Sequence, residues 1–198
     1  VVKATFKLPF RRRREGKSDY RLRRKLVLSG KPLLVVRRTN KNVIVQVIKP
    51  EVNGDRTLTA SSSMEVSRRF KWLGSGKNTS AAYLTGYLAG LKAVKLGIEE
   101  AVLYVGLHRP VKHSRVFAAL KGFIEAGIKV PHAEDVLPDH DRLIGKHIAD
   151  YAKKLSVENP DLYKKIFSRY LAKGLAPELL PTHVEEVKEL IRKWAAKQ

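Results

Sequence analysis

The chain has no cysteine, so it can form neither a disulfide nor a thiolate zinc site. That removes the usual staples of small secreted domains, and an intracellular setting is expected. Acidic residues are scarce: 19 Asp and Glu face 40 Lys and Arg, leaving a net charge of +21. Such a surplus repels itself unless an anionic partner absorbs it. Long apolar runs are missing too. The most apolar stretch, Ala81 to Val94, is broken by Gly86, Gly90 and Lys92 and is shorter than the roughly 20 residues a spanning helix needs. Val1 to Phe10 lacks the apolar run of a signal peptide. Val1 is not an initiator Met, so the natural N-terminus is expected upstream of it.

What is present is a foldable chain of 198 residues, 43% of them hydrophobic, long enough for one α/β core with extensions. Its charge is unevenly placed. Val1 to Lys41 holds 15 Lys or Arg against Glu15 and Asp19, a net +13 of the whole +21. A polyanion gripped mainly by one end is the economical explanation, and nucleic acid is the usual one. A membrane surface would need a continuous apolar face, whereas the arm offers only scattered Phe6, Leu8, Phe10, Leu22 and Leu26.

Phe10 to Glu15 cannot bury its charges and is expected to stay extended until a partner orders it. A short helix should follow over Tyr20 to Leu28, capped by Ser18 or Asp19 and stopped by Gly30 and Pro32. Three strands are expected at Leu33 to Thr39, Val43 to Lys49 and Thr57 to Ser62, joined by turns at Asn40 to Asn42 and Asn53 to Asp55 into an antiparallel meander. After a basic loop, Ser67 to Lys77, a helix should run from Thr79 to Leu96 with Asn78 or Thr79 as cap. Ala82, Gly86 and Gly90 form a small-residue stripe on it, expected to lie against the sheet. Ala101 to Gly106 should be a strand buried on both faces, and Ser114 to Ala126 a helix burying Val116, Phe117, Leu120, Phe123 and Ile124. Beyond Pro131 the pattern is helical only. Asp141 should cap a helix to about Leu155, Asn159 with Pro160 should start one ending near Gly174, and Thr182 with Glu185 should open the last. Val184, Val187, Ile191 and Trp194 then share a docking face. The fold class is therefore α/β, a mixed sheet of a three-stranded meander plus a strand between two helices. Its expected parts are a basic arm (1–30), a core (31–135) and a helical C-terminal extension (136–198) docked on the core or on a neighbour.

Catalytic chemistry finds little support. Gly74 to Asn78 resembles the end of a phosphate-binding loop, but Lys71 stands where its first glycine belongs and Asn78 where its metal-holding hydroxyl belongs. His132, Asp135, Asp139, His140, Asp141, His147 and Asp150 could ligate a metal or supply an acid and a base, which motivates a metal-dependent RNA-processing enzyme as the alternative function. Their spacing matches no closed zinc pattern, and a charged loop with a helix cap explains them as well. Two-metal nucleases hold their ions with carboxylates on rigid strands, and the four expected strands contain no Asp or Glu.

The basic residues carry the functional expectation. Arg11, Arg12, Arg13, Arg14 and Lys17 are too dense for a solvated face, and Tyr20, Arg21, Arg23, Arg24 and Lys25 continue the charge onto a helix beside an aromatic ring. Arginine can pair bidentately with phosphate and stack on bases, which suits irregular RNA. Arg37, Arg38, Asn40 and Lys41 crowd the first hairpin tip. Arg68, Arg69, Lys71, Trp72 and Lys77 occupy the next loop, and His108, Arg109, Lys112, His113 and Arg115 the last.

Several segments resemble one family. These are PheArgArgArgArgGluGlyLysSerAspTyr from Phe10, AsnLys at Asn40, AlaAlaTyrLeuThrGly from Ala81, ArgValPheAlaAlaLeuLysGly from Arg115 and ProHis at Pro131. GlyLysHisIleAlaAspTyr from Gly145 and PheSerArgTyr from Phe167 extend the likeness towards the C-terminus. Together they resemble the universal large-subunit ribosomal protein number eighteen in its archaeal form, called number five in eukaryotes. Leu107 to Ser114 departs from that family's more glycine-rich loop. The resemblance implies a structural, non-enzymatic constituent of the large ribosomal subunit that binds 5S rRNA in the central protuberance. Its partners would be 5S rRNA, large-subunit rRNA and neighbouring ribosomal proteins. No cofactor, membrane or small-molecule substrate is expected, and the location would be the cytoplasmic ribosome.

Overall fold

The structure, a computed structural model, describes residues 7–106 and 108–197. Three strands rich in β-branched residues, β1 (Leu33–Arg38), β2 (Val43–Lys49) and β3 (Arg56–Ser62), form the antiparallel meander. The fourth, β4 (Val102–Tyr104), pairs in parallel with β1, giving the order β3-β2-β1-β4. Alternation along β1 and β2 sends Leu34, Val36, Val43, Val45 and Val47 into the core and Leu33, Val35 and Ile48 to the other face. β4 is half-buried, not buried on both faces as its apolar run suggests: it is an edge strand, and among the described residues none pairs along its outer side.

One helix precedes the sheet that is not expected from the sequence. Arg11–Arg14 forms a single exposed turn, α1, where an extended arm is expected. Glu15 explains the difference, accepting ion pairs from Arg11 (3.7 Å) and Lys17 (2.8 Å), while Arg12 Nε donates to Ser18 Oγ at 2.9 Å. α2 (Tyr20–Ser29) is capped by Asp19, whose Oδ1 accepts the Arg21 and Leu22 amides. Residues 1–6, including Lys3 and Phe6, lie outside the described residues.

Between β3 and the Gly74 to Asn78 loop stands α3 (Ser63–Phe70), so Ser67, Arg68 and Arg69 are helical rather than loop residues. Ser62 Oγ accepts the Glu65 amide at 3.2 Å, the N-terminal bond of a capping arrangement. Trp72, expected in the same loop, is 1% exposed and stacks on His183 at 5.2 Å. α4 (Thr79–Lys95) follows with Asn78 Oδ1 accepting the Ala81 amide, and α5 (Arg115–Glu125) follows β4.

The small-residue stripe of α4 meets α5, not the sheet. A Cβ on Gly86 would lie 2.0 Å from the Ala119 carbonyl oxygen, and one on Gly122 would lie 2.2 Å from the Tyr83 carbonyl oxygen. The two helices run parallel, begin at the same end, and touch backbone to backbone. Tyr83 fills the seam, and its hydroxyl donates to Glu125; burial first, and that hydrogen bond second, raise its pKa well above the ordinary tyrosine value.

In the C-terminal third the helices are more broken than expected. Asp139, not Asp141, stands before α6 (His140–Ile144), and Gly145 at φ 83° divides it from α7 (Lys146–Glu158). Glycine alone enters this conformation freely, and a side chain there would also press Leu180 at 2.8 Å. The expected helix from Asn159 splits at Phe167 into α8 (Pro160–Ile166) and α9 (Ser168–Leu171), because the Phe167 ring turns in against Tyr163 and Tyr170. α10 (Leu180–Ala196) starts before the expected Thr182 capping box, with Pro181 in its first turn. Its Val184, Val187 and Ile191 belong to the same core as α4, and Trp194 meets Phe70 edge-on at 5.8 Å.

Candidate nucleic-acid interface

Open α/β sheets receive ligands in the crevice beyond the carboxyl ends of their parallel strands. In this molecule β1, β4 and the N-termini of α4 and α5 meet at such an end. Of three clefts, one runs from Arg37 back along the outer face of β1 to Leu33, and two open at that end. The first, about 560 Å³, lies between α2 and the outer face of the sheet. Leu26 of α2 packs on Leu33, Val35 and Ile48. Arg23 anchors the helix further, donating to Asp55 Oδ1 (2.8 Å) and to the Glu51 carbonyl oxygen (2.9 Å). The cleft is lined by the cations Arg12, Lys17 and Arg37, by His108, and by the rings of Tyr20 and Tyr104.

The second cleft, about 360 Å³, lies where α4 and α5 begin and is lined by Arg38, Lys77, Arg115, His113, Arg142 and His147. The third, about 560 Å³, brings Asn40, Lys41 and Lys77 together with Arg169, Tyr170 and Lys173. Its wall is the Gly74 to Asn78 loop. Trp72 Nε1 donates to the Ser75 carbonyl oxygen at 3.2 Å, and the Ser75 amide meets the Tyr170 hydroxyl at 3.4 Å. A Cβ on Gly74 would stand 2.4 Å from the Trp72 ring, so a residue without a side chain lets the loop close over the buried indole. The sequence places a phosphate-loop fragment here; the structure makes it a tethered wall that holds Lys77 between two clefts.

Comparison with known proteins places the chain. Residues 4–100 match the family described as "Ribosomal large subunit proteins 60S L5, and 50S L18". The large ribosomal subunit protein uL18 of Aeropyrum pernix is 54% identical over 94% of this chain and 87% of its own length. That of Caldivirga maquilingensis is also 54% identical, over 97% of this chain and 93% of its own. The Thermofilum pendens protein is 50% identical over 95% of each. The chain belongs to the uL18 family. The relatives are named as proteins of the large ribosomal subunit.

Not every expected residue of this chain reaches a cleft. Arg11, Arg13 and Arg14 project from the exposed turn α1, and Arg21, Arg24 and Lys25 from the solvent side of α2. Arg68 and Lys71 are exposed beside α3, while Arg69 pairs with Glu65 at 3.3 Å and lies over the Trp194 ring, turned towards α10. Arg109 is exposed, and Lys112 is tied to Asp135. Conversely, Arg142, His147, Arg169, Tyr170 and Lys173 come to the clefts from C-terminal helices and were not expected there. Only the tertiary path of α6 to α9 brings them in, and local spacing does not encode it.

The His132 to Asp150 side chains disperse into local contacts. His132 Nδ1 lies 2.7 Å from the Val130 carbonyl oxygen, and His140 faces Glu185 at 3.8 Å. Asp135 and Asp141 are held below the usual carboxylate pKa by hydrogen bonds from Lys112 and Lys146 respectively. Burial, reinforced by Arg142, lowers His147 below its ordinary value. Among the described residues no group of three or more His, Asp or Glu is placed to hold a metal ion.

Proposed function

We propose that this uL18-family chain binds 5S rRNA and anchors it to large-subunit rRNA in the central protuberance, beside neighbouring ribosomal proteins, without enzymatic activity. The observation that carries this is the set of three cationic clefts, two of them holding aromatic rings, at one end and along the outer face of the sheet, with the basic arm beside them. Irregular RNA offers what such a surface takes, namely phosphates at varied angles and unstacked bases. Residues 1–30 grip by charge, 31–135 set position, and 136–198 complete the clefts from behind. The place of action is the ribosome in the cytoplasm.

Filter binding of the purified protein to 5S RNA, with transfer RNA as competitor, tests this. A clear preference for 5S RNA is expected. Equal affinity for both would refute recognition of 5S RNA and leave only generic polyanion binding.

A further inference from the structure

The second cleft carries more positive charge than the fold explains. Arg38 ends β1, Lys77 precedes the cap of α4, Arg115 opens α5, and Arg142 reaches in from α6. Helix N-termini carry partial positive charge, which Asp or Glu in the first turn normally offsets. Neither α4 nor α5 has an acidic residue in its first turn; Arg115 stands in that of α5, and Lys77 stands just before the cap of α4. No carboxylate lines the cleft. None of the four cations forms an ion pair among the described residues.

The side chains are also arranged rather than merely crowded. Arg115 Nη1 donates to the Lys77 carbonyl oxygen at 2.9 Å, which fixes the guanidinium across the mouth of the Gly74 to Asn78 loop. Arg38 and Arg115 are half-buried, and burial removes the water that would otherwise screen them. Arg38 Nε and Asn78 Nδ2 are shielded from solvent and donate to no protein acceptor. Four like charges against two positive helix ends repel one another, and a single anion among them adds an attraction to each that offsets this repulsion.

We infer that this cleft is a phosphate-binding site, formed by Arg38, Lys77, Arg115 and Arg142, that takes a backbone phosphate of the bound RNA. The inference rests on the RNA-binding function proposed above and adds to it a defined subsite completed by the C-terminal helices. Arginine supplies forked donors that match phosphate oxygens, and lysine a point charge at the entrance.

The test is the double variant Lys77→Gln with Arg142→Gln. Both side chains are exposed, and the Arg115 tether is left intact. Lys153→Gln with Lys164→Gln, exposed on α7 and α8, removes the same charge elsewhere. Binding to 5S RNA is measured across a salt series, and thermal stability of the free proteins with and without inorganic pyrophosphate. Each phosphate contact contributes about 0.7 to 0.9 to the slope of log affinity against log salt. The cleft variant should flatten the slope by up to about 0.7 to 0.9, the contribution of one phosphate, and lose most of the pyrophosphate stabilisation, with the control unchanged. Slopes parallel to wild type, together with an undiminished pyrophosphate effect, overturn the site while leaving RNA binding intact. If the wild type itself shows no affinity for 5S RNA, the proposed function fails separately, and the pyrophosphate comparison alone decides the cleft.

Discussion

Gly86→Ala sets two effects of opposite sign against each other. Alanine in a helix interior is favoured over glycine by about 0.8 to 1.0 kcal/mol. At this position, however, the added Cβ would stand 2.0 Å from the Ala119 carbonyl oxygen and 2.8 Å from its Cα. Ordinary carbon contacts lie at roughly 3.5 Å or more, and the obstacle is backbone, which cannot rotate aside. α4 and α5 must therefore part locally by more than about 1 Å. Overpacking of this kind costs about 1 to 3 kcal/mol, and separating the helices also loosens Tyr83 and Phe123, both fully buried. Strain should win, with a net loss of up to about 2 kcal/mol once the propensity gain is subtracted. In a chain of this size each kcal/mol moves the Tm by about 2 to 4 °C. Urea and thermal unfolding of wild type, Gly86→Ala and Gly122→Ala measure this directly. Both helices begin at the phosphate cleft, so affinity for 5S RNA should fall in step with stability. A Gly86→Ala protein more stable than wild type would refute the argument that backbone contact sets the helix spacing.

Deleting residues 1–17 removes Lys3, Lys7, Arg11 to Arg14 and Lys17; the described part of this arm is exposed. The core should stay folded while the salt slope of RNA binding flattens by several units, at about 0.7 per phosphate contact on a single strand; unchanged slopes would assign the arm to another partner. Trp194→Ala removes a half-buried ring packed on Phe70 and approached by Lys95 at 5.1 Å. Full burial would make this cost about 3 to 5 kcal/mol, so about 2 to 3 is expected, and an unchanged melting temperature would show that α10 is not held there. Asp141→Ala breaks only an exposed pair with Lys146 and should leave stability within about 0.5 kcal/mol; any metal-dependent RNA cleavage by wild type that this variant abolishes would restore the enzyme alternative. His147 has a lowered pKa in the fold, so the unfolded chain binds its proton first as pH falls. Stability should therefore drop between the ordinary histidine value and the lower folded one, and His147→Gln should remove that part of the acid sensitivity in a pH series of unfolding curves.

The legible part of the fold was its local part. β-branched runs and the asparagine turn marked β1 and β2 almost residue for residue, and Asp19, Asn78 and Asn159 cap their helices as their positions suggest. α3 went unseen although Ser62 and Glu65 carry its capping pattern, because Arg68 to Lys71 reads as loop when charge is weighed above spacing. The partner of the Gly86 stripe was not encoded locally, since a small residue announces close approach without naming what approaches. Charge alone pointed to the arm and the loops of the candidate interface. Arg142 and Arg169 were hidden for the converse reason: each is an ordinary helix-surface cation until the chain path carries it to a cleft.

The crowding of Arg38, Arg115 and Arg142 beside two positive helix ends bears on the life of the protein before assembly. A ligand that binds only the folded form stabilises it by mass action, by about 2.7 kcal/mol at a hundredfold excess over its dissociation constant. An anion held in this cleft would relieve that crowding in the folded form alone. The free protein is therefore expected to open more often than the RNA-bound one, and limited proteolysis of the two should track that difference.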